Sequence, residues 1–326
     1  MEKEVAILIS NYNGKHFLEY CLPSVLDQSG ADFDVFLIDN ASSDGSADFV
    51  RENFPQINII QNKENLGFAE GNNVGIRKVI DRYPYIAFLN NDTKVNKDWL
   101  KELLKSIDRS SEIGISTSVI LDSQGQMIQG AGGYFASVVT GTNAGAFHNQ
   151  EYRDFDLTKD FPVFWASGCS FLVKSQILRE IGLFDENYFS YYEDIDLSWR
   201  TLMHGYRITC SVGSCVCHYG SGTWKGRPPS FYLAERNRLL TYFKNLSCFN
   251  LLWILPILLL ARLVFAVLFF DSLAHFVAKL RGILSALLWI PRYLPKRKNI
   301  QRLRRVGDQE VFRNNLVMFP LKNHLR

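Results

Sequence analysis

The sequence predicts an α/β protein: a mostly parallel sheet wrapped by helices, followed by hydrophobic helices that associate with a membrane. Three observations carry this. Over residues 5–89, short apolar runs alternate with helical patterns at lengths that suit right-handed βαβ crossovers. Most of these runs stop at a cluster of Asn, Asp, Ser or Gly, the signature of a turn at a strand end. From residue 251 onward, two long apolar blocks lead into a basic tail.

The 326 residues suit one large domain or two small ones, and a hydrophobic content of 47% supports a packed core. A formal net charge of +3 is too mild to indicate nucleic acid, and no nucleic-acid partner is expected. Cys21, Cys169, Cys210, Cys215, Cys217 and Cys248 are scattered, and the opening MEKEVAILIS carries no secretory pattern, so a reducing, cytosolic catalytic domain is expected. Cys210, Cys215, Cys217 and His218 lack the paired C-x-x-C spacing of structural zinc; buried thiols on strands fit better.

Taken in order, residues 5–9 read as a first buried strand and 15–28 as a helix that Pro23 kinks or splits. The pattern then repeats: strand 34–38, helix 46–53, strand 57–60, helix 69–82, strand 86–89. After the first strand, Ser10-Asn11-Tyr12-Asn13-Gly14 lacks the Gly-x-Gly-x-x-Gly turn laid against a pyrophosphate, which disfavours hydride transfer. The second strand ends at Asp39, where a carboxylate can accept from a ribose hydroxyl or a base N–H; Ser43, Asp44 and Ser46 beyond it suit helix capping. Residues 65–73, NLGFAEGNN, put Gly67 and Gly71 at a helix entry, where they let a ligand approach the backbone or serve as turn and packing devices. Residues 85–93, YIAFLNNDT, read as a buried strand carrying Asp92 to its carboxyl end, where ligands bind in open α/β sheets; an Asn-Asp turn closing a core strand reads the same.

In this order, SNYNG, DNASSDGS, NLGFAEGNN and FLNNDT resemble the nucleotide-sugar half of the family 2 glycosyltransferases, in the bacterial rhamnosyltransferase-like branch, across residues 4–240. The resemblance implies a GT-A fold, Rossmann-like, in residues 1–246, with 1–95 binding the nucleotide sugar and 96–246 serving acceptor and catalysis, before membrane-associated helices and a basic tail at 247–326. It implies that Asp39 contacts the nucleobase and that Asp92, at the family's Asp-x-Asp position, helps hold Mg²⁺ or Mn²⁺ on the donor diphosphate. Asn90 stands where the first acid would be, so metal binding leans on Asp92 and later residues. Ser10, Asn11, Asn13, Asn65, Gly67, Asn72, Asn91 and Arg236 complete the expected donor-binding set.

Farther along, 113–121 and 127–134 read as strands, 137–162 as a loop or flap, and 164–173 as strand-like. Glu193, Asp194 and Asp196 crowd three carboxylates beside tyrosines, which calls for a metal, a proton or Arg200 to relieve them. The same residues suit the N-terminus of a helix running to Met203 and stopped by Gly205. By the resemblance, Asp194 is the base that deprotonates an acceptor hydroxyl, with Glu193, Asp196 and Arg200 in support. Trp165, Gly168 and Tyr191 are the expected acceptor neighbours, though Trp165 and Tyr191 stack on a sugar or simply pack. A strand at 208–216, broken at Gly213-Ser214, leads to His218, which reads as a hydrogen-bonded structural residue or, by the resemblance, as a partner of Asp92 at the cation. Ser221, Thr223, Lys225 and Arg227 would close over phosphates. Tyr232, Arg236 and Asn237 open a helix, and the Arg-Asn pair resembles the non-processive members.

Residues 251–270 span about 30 Å as a helix, enough for a hydrocarbon core, but Arg262 near the middle argues against a simple span. Residues 273–294, with His275, Lys279 and Arg281, have the pattern of a helix lying in the interface. Lys296, Arg297, Lys298, Arg302, Arg304 and Arg305 would favour an anionic leaflet, so the cytoplasmic face of a bacterial inner membrane is expected, with the helices as a hairpin or in the plane. Two buried helices in a soluble homo-oligomer are the alternative. By the resemblance, the expected activity is inverting transfer from dTDP-rhamnose or a UDP-sugar, and the resemblance together with the apolar blocks points to a saccharide or lipid-linked saccharide as acceptor. A sugar nucleotidyltransferase would need a Gly-rich, Arg/Lys-bearing signature that SNYNG is not, and a catalytically silent scaffold is opposed by intact Asp39, Asp92 and Asp194.

Overall fold

The structure, a computed structural model, describes residues 3–220 and 227–313; the expectations for Ser221, Thr223 and Lys225 fall outside them. The first half runs β1 (Val5–Asn11), α1 (Lys15–Leu26), β2 (Phe33–Asp39), α2 (Ser46–Asn53), β3 (Asn58–Gln61), α3 (Gly67–Val79), β4 (Tyr85–Asn90), β5 (Thr93–Val95), α4 (Trp99–Ile107) and β6 (Ile113–Leu121). There follow β7 (Ile128–Gly130), β8 (Gly133–Ser137), β9 (Thr142–Gly145), β10 (Phe161–Pro162), β11 (Ser170–Lys174), α5 (Ser175–Ile181), α6 (Glu193–Met203) and β12 (Arg207–His218). The last elements are α7 (Pro228–Asn245), α8 (Cys248–Leu268), α9 (Leu273–Leu303) and α10 (Asp308–Arg313).

One sheet carries the order β10-β12-β6-β11-β4-β1-β2-β3, with β5 on β12 and β7 on β6. Its β3-β2-β1-β4 portion is parallel, as the alternation of strands and helices requires. The odd positions Val5, Ile7 and Ile9 face one core and Ala6 and Leu8 the other, so β1 is apolar throughout because helices cover both faces. β11 runs antiparallel between β4 and β6, and β12 is parallel to β6. The carboxyl ends of β1, β2 and β4 consequently meet at one edge of the sheet, with Asn11 opposite Asp39 and Ser10 opposite Asn90.

Several elements differ from the sequence reading, each for a local reason. Pro23 lies inside an unbroken α1, because it and Glu19, whose carbonyl loses its partner, both face solvent. The strand expected over 127–134 divides at Gly132, which turns the chain at φ +70°. The expected flap at 137–162 contains β9, which closes a hairpin with β8, and β10. Of the strand-like 164–173 only 170–173 join the sheet, in β11; Phe164 and Trp165 instead bond Gly133 and enter an aromatic core with Phe135 and Trp199. The break at Gly213-Ser214 is a register shift within β12, which continues to His218.

The C-terminal helices are built onto the same core as the sheet: Leu258, Ile283, Tyr293 and Val311 join Leu8, Phe88 and Trp199 in one cluster. α9 lies along α7, with Gly282 so close to the Tyr232 carbonyl that a Cβ would fall 2.5 Å from it. α8 is tied down by Arg262, whose Nε donates to Glu235 at 2.9 Å. Both helices are long and apolar enough to cross a membrane by length and composition, and both pack against α7 and against each other.

Half of the basic cluster is turned to partners within the domain. Lys296 pairs with Asp185 at 2.6 Å and Glu186 at 2.8 Å, Arg297 donates to the carbonyl of Leu246 at 2.7 Å, and Arg304 pairs with Asp308 at 2.7 Å. Half of the charges expected to face a leaflet are therefore used to hold α9 and α10 in place. Lys298, Arg302 and Arg305 remain exposed.

Candidate active site

Two side chains organise the first half of the site. Asn11, buried at the end of β1, donates from Nδ2 to Asp39 Oδ1 at 3.2 Å and to Ser42 Oγ at 3.2 Å, and accepts at Oδ1 from Asn91 Nδ2 at 2.7 Å. It thus couples the ends of three strands. Asp39 is buried and also accepts from the Ser42 N–H at 3.2 Å. Asn13, at φ 51°, accepts from Ser43 N–H at 2.8 Å and pins the two loops together. Gly14 leaves no room for a side chain, since a Cβ would lie 2.1 Å from Asn91 Nδ2. Ser10 meets Asn40 Nδ2 at 3.3 Å, and Asn40 also donates to the Gly67 carbonyl at 3.2 Å.

Asp92 and His218, expected at a cation, are in direct contact: Nε2 lies 3.2 Å from Oδ1. β5 brings them together by pairing with the end of β12, with His218 opposite Thr93. Gln129 donates from its amide to the His218 carbonyl at 3.1 Å, which leaves its Oε1 to accept from His218 Nδ1–H at 2.9 Å. In this amide orientation a neutral ring turns the Nε2 lone pair towards the Asp92 carboxylate. Two acceptors facing one another at that distance need a proton or a cation between them. That donor set fits a divalent ion, although among the described residues no cluster of three or more His, Cys, Asp or Glu gathers there. Gln129 carries no signal in its own stretch of sequence; only the fold shows it behind His218.

Asp194 begins the second half, on the first turn of α6. Its Oδ2 accepts from the Gly168 N–H at 2.9 Å and its Oδ1 from the Ile195 N–H at 2.7 Å. A Cβ on Gly168 would come 3.2 Å from Oδ2, so Gly168 is the residue that lets the loop reach the carboxylate. Burial raises the Asp194 carboxyl above the usual range, against the pull of those backbone donors. Glu193 is raised further, first by burial and then by Asp194, and its Oε2 has no hydrogen-bond partner. Only Asp194 of the three carboxylates is even partly open to solvent. The two halves meet at the loop 167–169: Asn90 N–H donates to the Cys169 carbonyl at 2.9 Å while Gly168 N–H serves Asp194.

The backbone before α6 is strained, with Phe189, Tyr191 and Tyr192 at φ 63°, 71° and 74°. Such conformations cost about 1–3 kcal/mol each and persist where the surroundings dictate them. Here α7 dictates them. Asn237 Nδ2 donates to the carbonyls of Tyr188 (3.0 Å), Ser190 (3.0 Å) and Tyr191 (2.7 Å).

Other expected site residues lie elsewhere. Arg236 does not face the donor cleft: it is buried, donates to the carbonyls of Asn187 and Tyr188, and sits over the rings of Tyr232 and Trp289. Asp196 and Arg200 form an interior network in which Asp196 also meets Lys244 at 3.0 Å, with Asp185 held to the same lysine. Asn72 donates to the Phe68 carbonyl of its own helix, and Asn65 accepts from the Gly67 N–H. Trp165 is a core residue, its ring against Gly133 and Phe135. Tyr191 is half-buried, with the Ser230 hydroxyl beside its phenol. Lys244, Asn237 and Asn245, whose Nδ2 donates to Asp196 Oδ1 at 3.0 Å, are the supporting residues that the sequence reading left without a role or undervalued.

Three comparisons bear on this geometry. The profile of Glycosyl transferase family 2 matches residues 6–182. The N-acetylglucosaminyl-diphospho-decaprenol L-rhamnosyltransferase of Mycobacterium tuberculosis is 25% identical over 257 residues, 73% of this chain and 83% of that one. Mannosyltransferase PcManGT from Pyrobaculum calidifontis, solved in complex with GDP-Man and Mn²⁺, shares the fold at TM-score 0.54 and 15% identity over 93% of this chain and 86% of its own. S. aureus TarS 1-349, in complex with UDP-GlcNAc, does so at TM-score 0.57 and 15% identity over 96% and 89%.

Proposed function

The chain belongs to glycosyl transferase family 2, and from that premise we propose that it transfers a sugar from a nucleoside-diphosphate sugar, dTDP-rhamnose or a UDP-sugar, to a hydroxyl of a lipid-linked saccharide, with inversion. The observation that carries this reading is Asp194: a carboxylate raised by burial, aimed by two backbone N–H groups, and joined through one short loop to the strand end before Asp92. A sugar hydroxyl is too weak an acid to attack unaided at neutral pH. A positioned base contributes about a hundred- to ten-thousand-fold.

In this reading Asp194 takes the hydroxyl proton as the oxygen attacks the anomeric carbon from the side opposite the nucleotide, and the C–O bond to the diphosphate breaks. Asp39, with Asn11 behind it, accepts from the base or ribose of the donor. Asp92 and His218 are the residues that would hold Mg²⁺ or Mn²⁺, whose chemistry is to neutralise charge gathering on the departing diphosphate. Gly168 orients the base, and Asp196 and Arg200 support it only through the packing of α6. The acceptor's lipid carrier is supported by the exposed apolar faces of α8 and α9, which would lie on the cytoplasmic face of the membrane.

The test is a thermal-shift series of the purified protein with UDP, dTDP, GDP and CMP, each with and without Mn²⁺. Ligand at a hundred times its dissociation constant stabilises by about 2.7 kcal/mol, a readily measured shift. One nucleoside diphosphate should stabilise the wild type in a metal-dependent way and lose that dependence in Asp92→Ala. No shift with any of them would overturn the donor site as drawn.

A further inference from the structure

Between the start of α7 and the middle of α9 runs an open groove of about 1000 Å³. Pro228, Pro229 and Tyr232 form one wall and Val277, Leu284 and Leu288 the other. Arg281 also lines it, exposed and, among the described residues, without an ion pair; no carboxylate lines it. An apolar trough bearing one unpaired cation is complementary to an amphiphile with an anionic head.

The groove is fixed in shape. Gly282 seats the α9 backbone on the Tyr232 carbonyl, and Tyr232 and Ser285 share a hydrogen bond at 2.9 Å, so the two helices are locked beneath it. α7 and α9 run side by side in the same direction, with Phe231 against His275 and Lys279 and Arg236 over Trp289, so the Pro228-Pro229 end of the groove is also its Leu273 end, on the exposed apolar side of α9. Ser230, directly after Pro228-Pro229, lies beside the phenol of Tyr191, three residues before Asp194. A hydrocarbon chain lying in the groove would thus run close to the turn that carries the base.

We propose that this groove seats the tail of a phosphate-bearing prenyl lipid, the carrier of the acceptor sugar, with Arg281 at its phosphate. The assignment rests on the glycosyltransferase reading above and adds to it the place where the acceptor's lipid tail is held. A second copy of the chain is disfavoured as occupant because the site is concave and its polar content is a single charge of one sign.

The experiment uses the full chain on phosphatidylcholine vesicles containing a diazirine-bearing polyprenyl phosphate, with adducts mapped by mass spectrometry. Adducts should concentrate on residues 228–232 and 273–289, be competed by unlabelled polyprenyl phosphate, and resist both polyprenol and inorganic phosphate. Ala274→Trp fills the exposed mouth of the groove and should lower labelling about tenfold; Arg281→Gln should make polyprenol and its phosphate equal competitors. Labelling spread evenly over α8 and α9, confinement to contacts between two copies, or indifference to Ala274→Trp would each overturn the assignment. The nucleoside-diphosphate shift, measured on the same samples, separates the two readings. If that shift is present while labelling is scattered, the groove assignment alone fails. If the shift is absent while groove labelling is intact, the lipid site stands and the donor reading fails.

Discussion

In the proposed mechanism Asp194 is ionised when the acceptor arrives and takes the hydroxyl proton during attack. Burial moves its carboxyl upward, so the acidic limb of the pH–rate profile should lie above the range of an ordinary aspartate, with activity rising as Asp194 ionises. Asp194→Asn should cut transfer by about a hundred- to ten-thousand-fold while leaving the nucleoside-diphosphate thermal shift intact. Glu193 has a different signature. Its folded-state affinity for a proton exceeds that of the unfolded chain, so its contribution is fully present below the ordinary Glu range and is lost as pH rises through its raised value. Glu193→Gln should therefore raise the melting temperature at neutral pH and leave it nearly unchanged below about pH 4, read from thermal denaturation across pH. Asp39, Asp92 and Asp194 were legible in the sequence because each ends a strand or turn, or begins a helix, at a recognisable polar cluster. Asp196, Arg200, Arg236 and Asn72 were not, because the same residue types serve interior scaffolding whose partners, Lys244 and the carbonyls of residues 187 and 188 among them, are either far away in sequence or uninformative by type.

At the scale of elements, α7 is the scaffold on which the catalytic half depends. It supplies Asn237 to the strained turn, Lys244 to Asp185 and Asp196, and Glu235 to Arg262 and Arg238. Burial alone would push the Asp185 carboxyl up, but the Lys244 and Lys296 ammoniums hold it well below the usual range. Its stabilising contribution is present above the ordinary Asp range and is lost as pH falls through the lowered value. Removing one partner of such a buried pair costs about 3–5 kcal/mol, so Asp185→Asn should show that loss as a lower denaturant midpoint at neutral pH. The strands and helices of the parallel half were readable because apolar periodicity decides them. The β8–β9 hairpin was not, since its strands are short, Gly-containing and only partly buried, and pair with one another at the margin of the sheet.

The whole molecule presents one unusual surface. On α8, Phe249, Leu252, Leu260, Val267 and Leu268 are each more than half exposed, and on α9 so are Leu273, Leu284, Leu288 and Leu294. Neither helix contains a carboxylate, and Arg281, Arg292, Lys298 and Arg302 lie exposed on α9. Apolar area of this extent marks an interaction face, and the surrounding charge would suit an anionic bilayer. Flotation with phosphatidylglycerol-containing vesicles should recover the protein in the lipid fraction, less so at high salt, and Leu252→Asp combined with Leu260→Asp and Leu288→Asp should return it to the soluble fraction. This face was foreseen from the apolar blocks, whereas the contacts that hold the two helices on the domain come from Glu235 and Asp185, residues outside the blocks. α7 joins the two ends of the molecule: the rod that bears the seating helices also fixes the turn before Asp194. Under the proposed function, such a seating would make the protein a height gauge: Asp194 would stand at one fixed elevation above the lipid, and the number of sugars already on the carrier would decide which hydroxyl comes level with it.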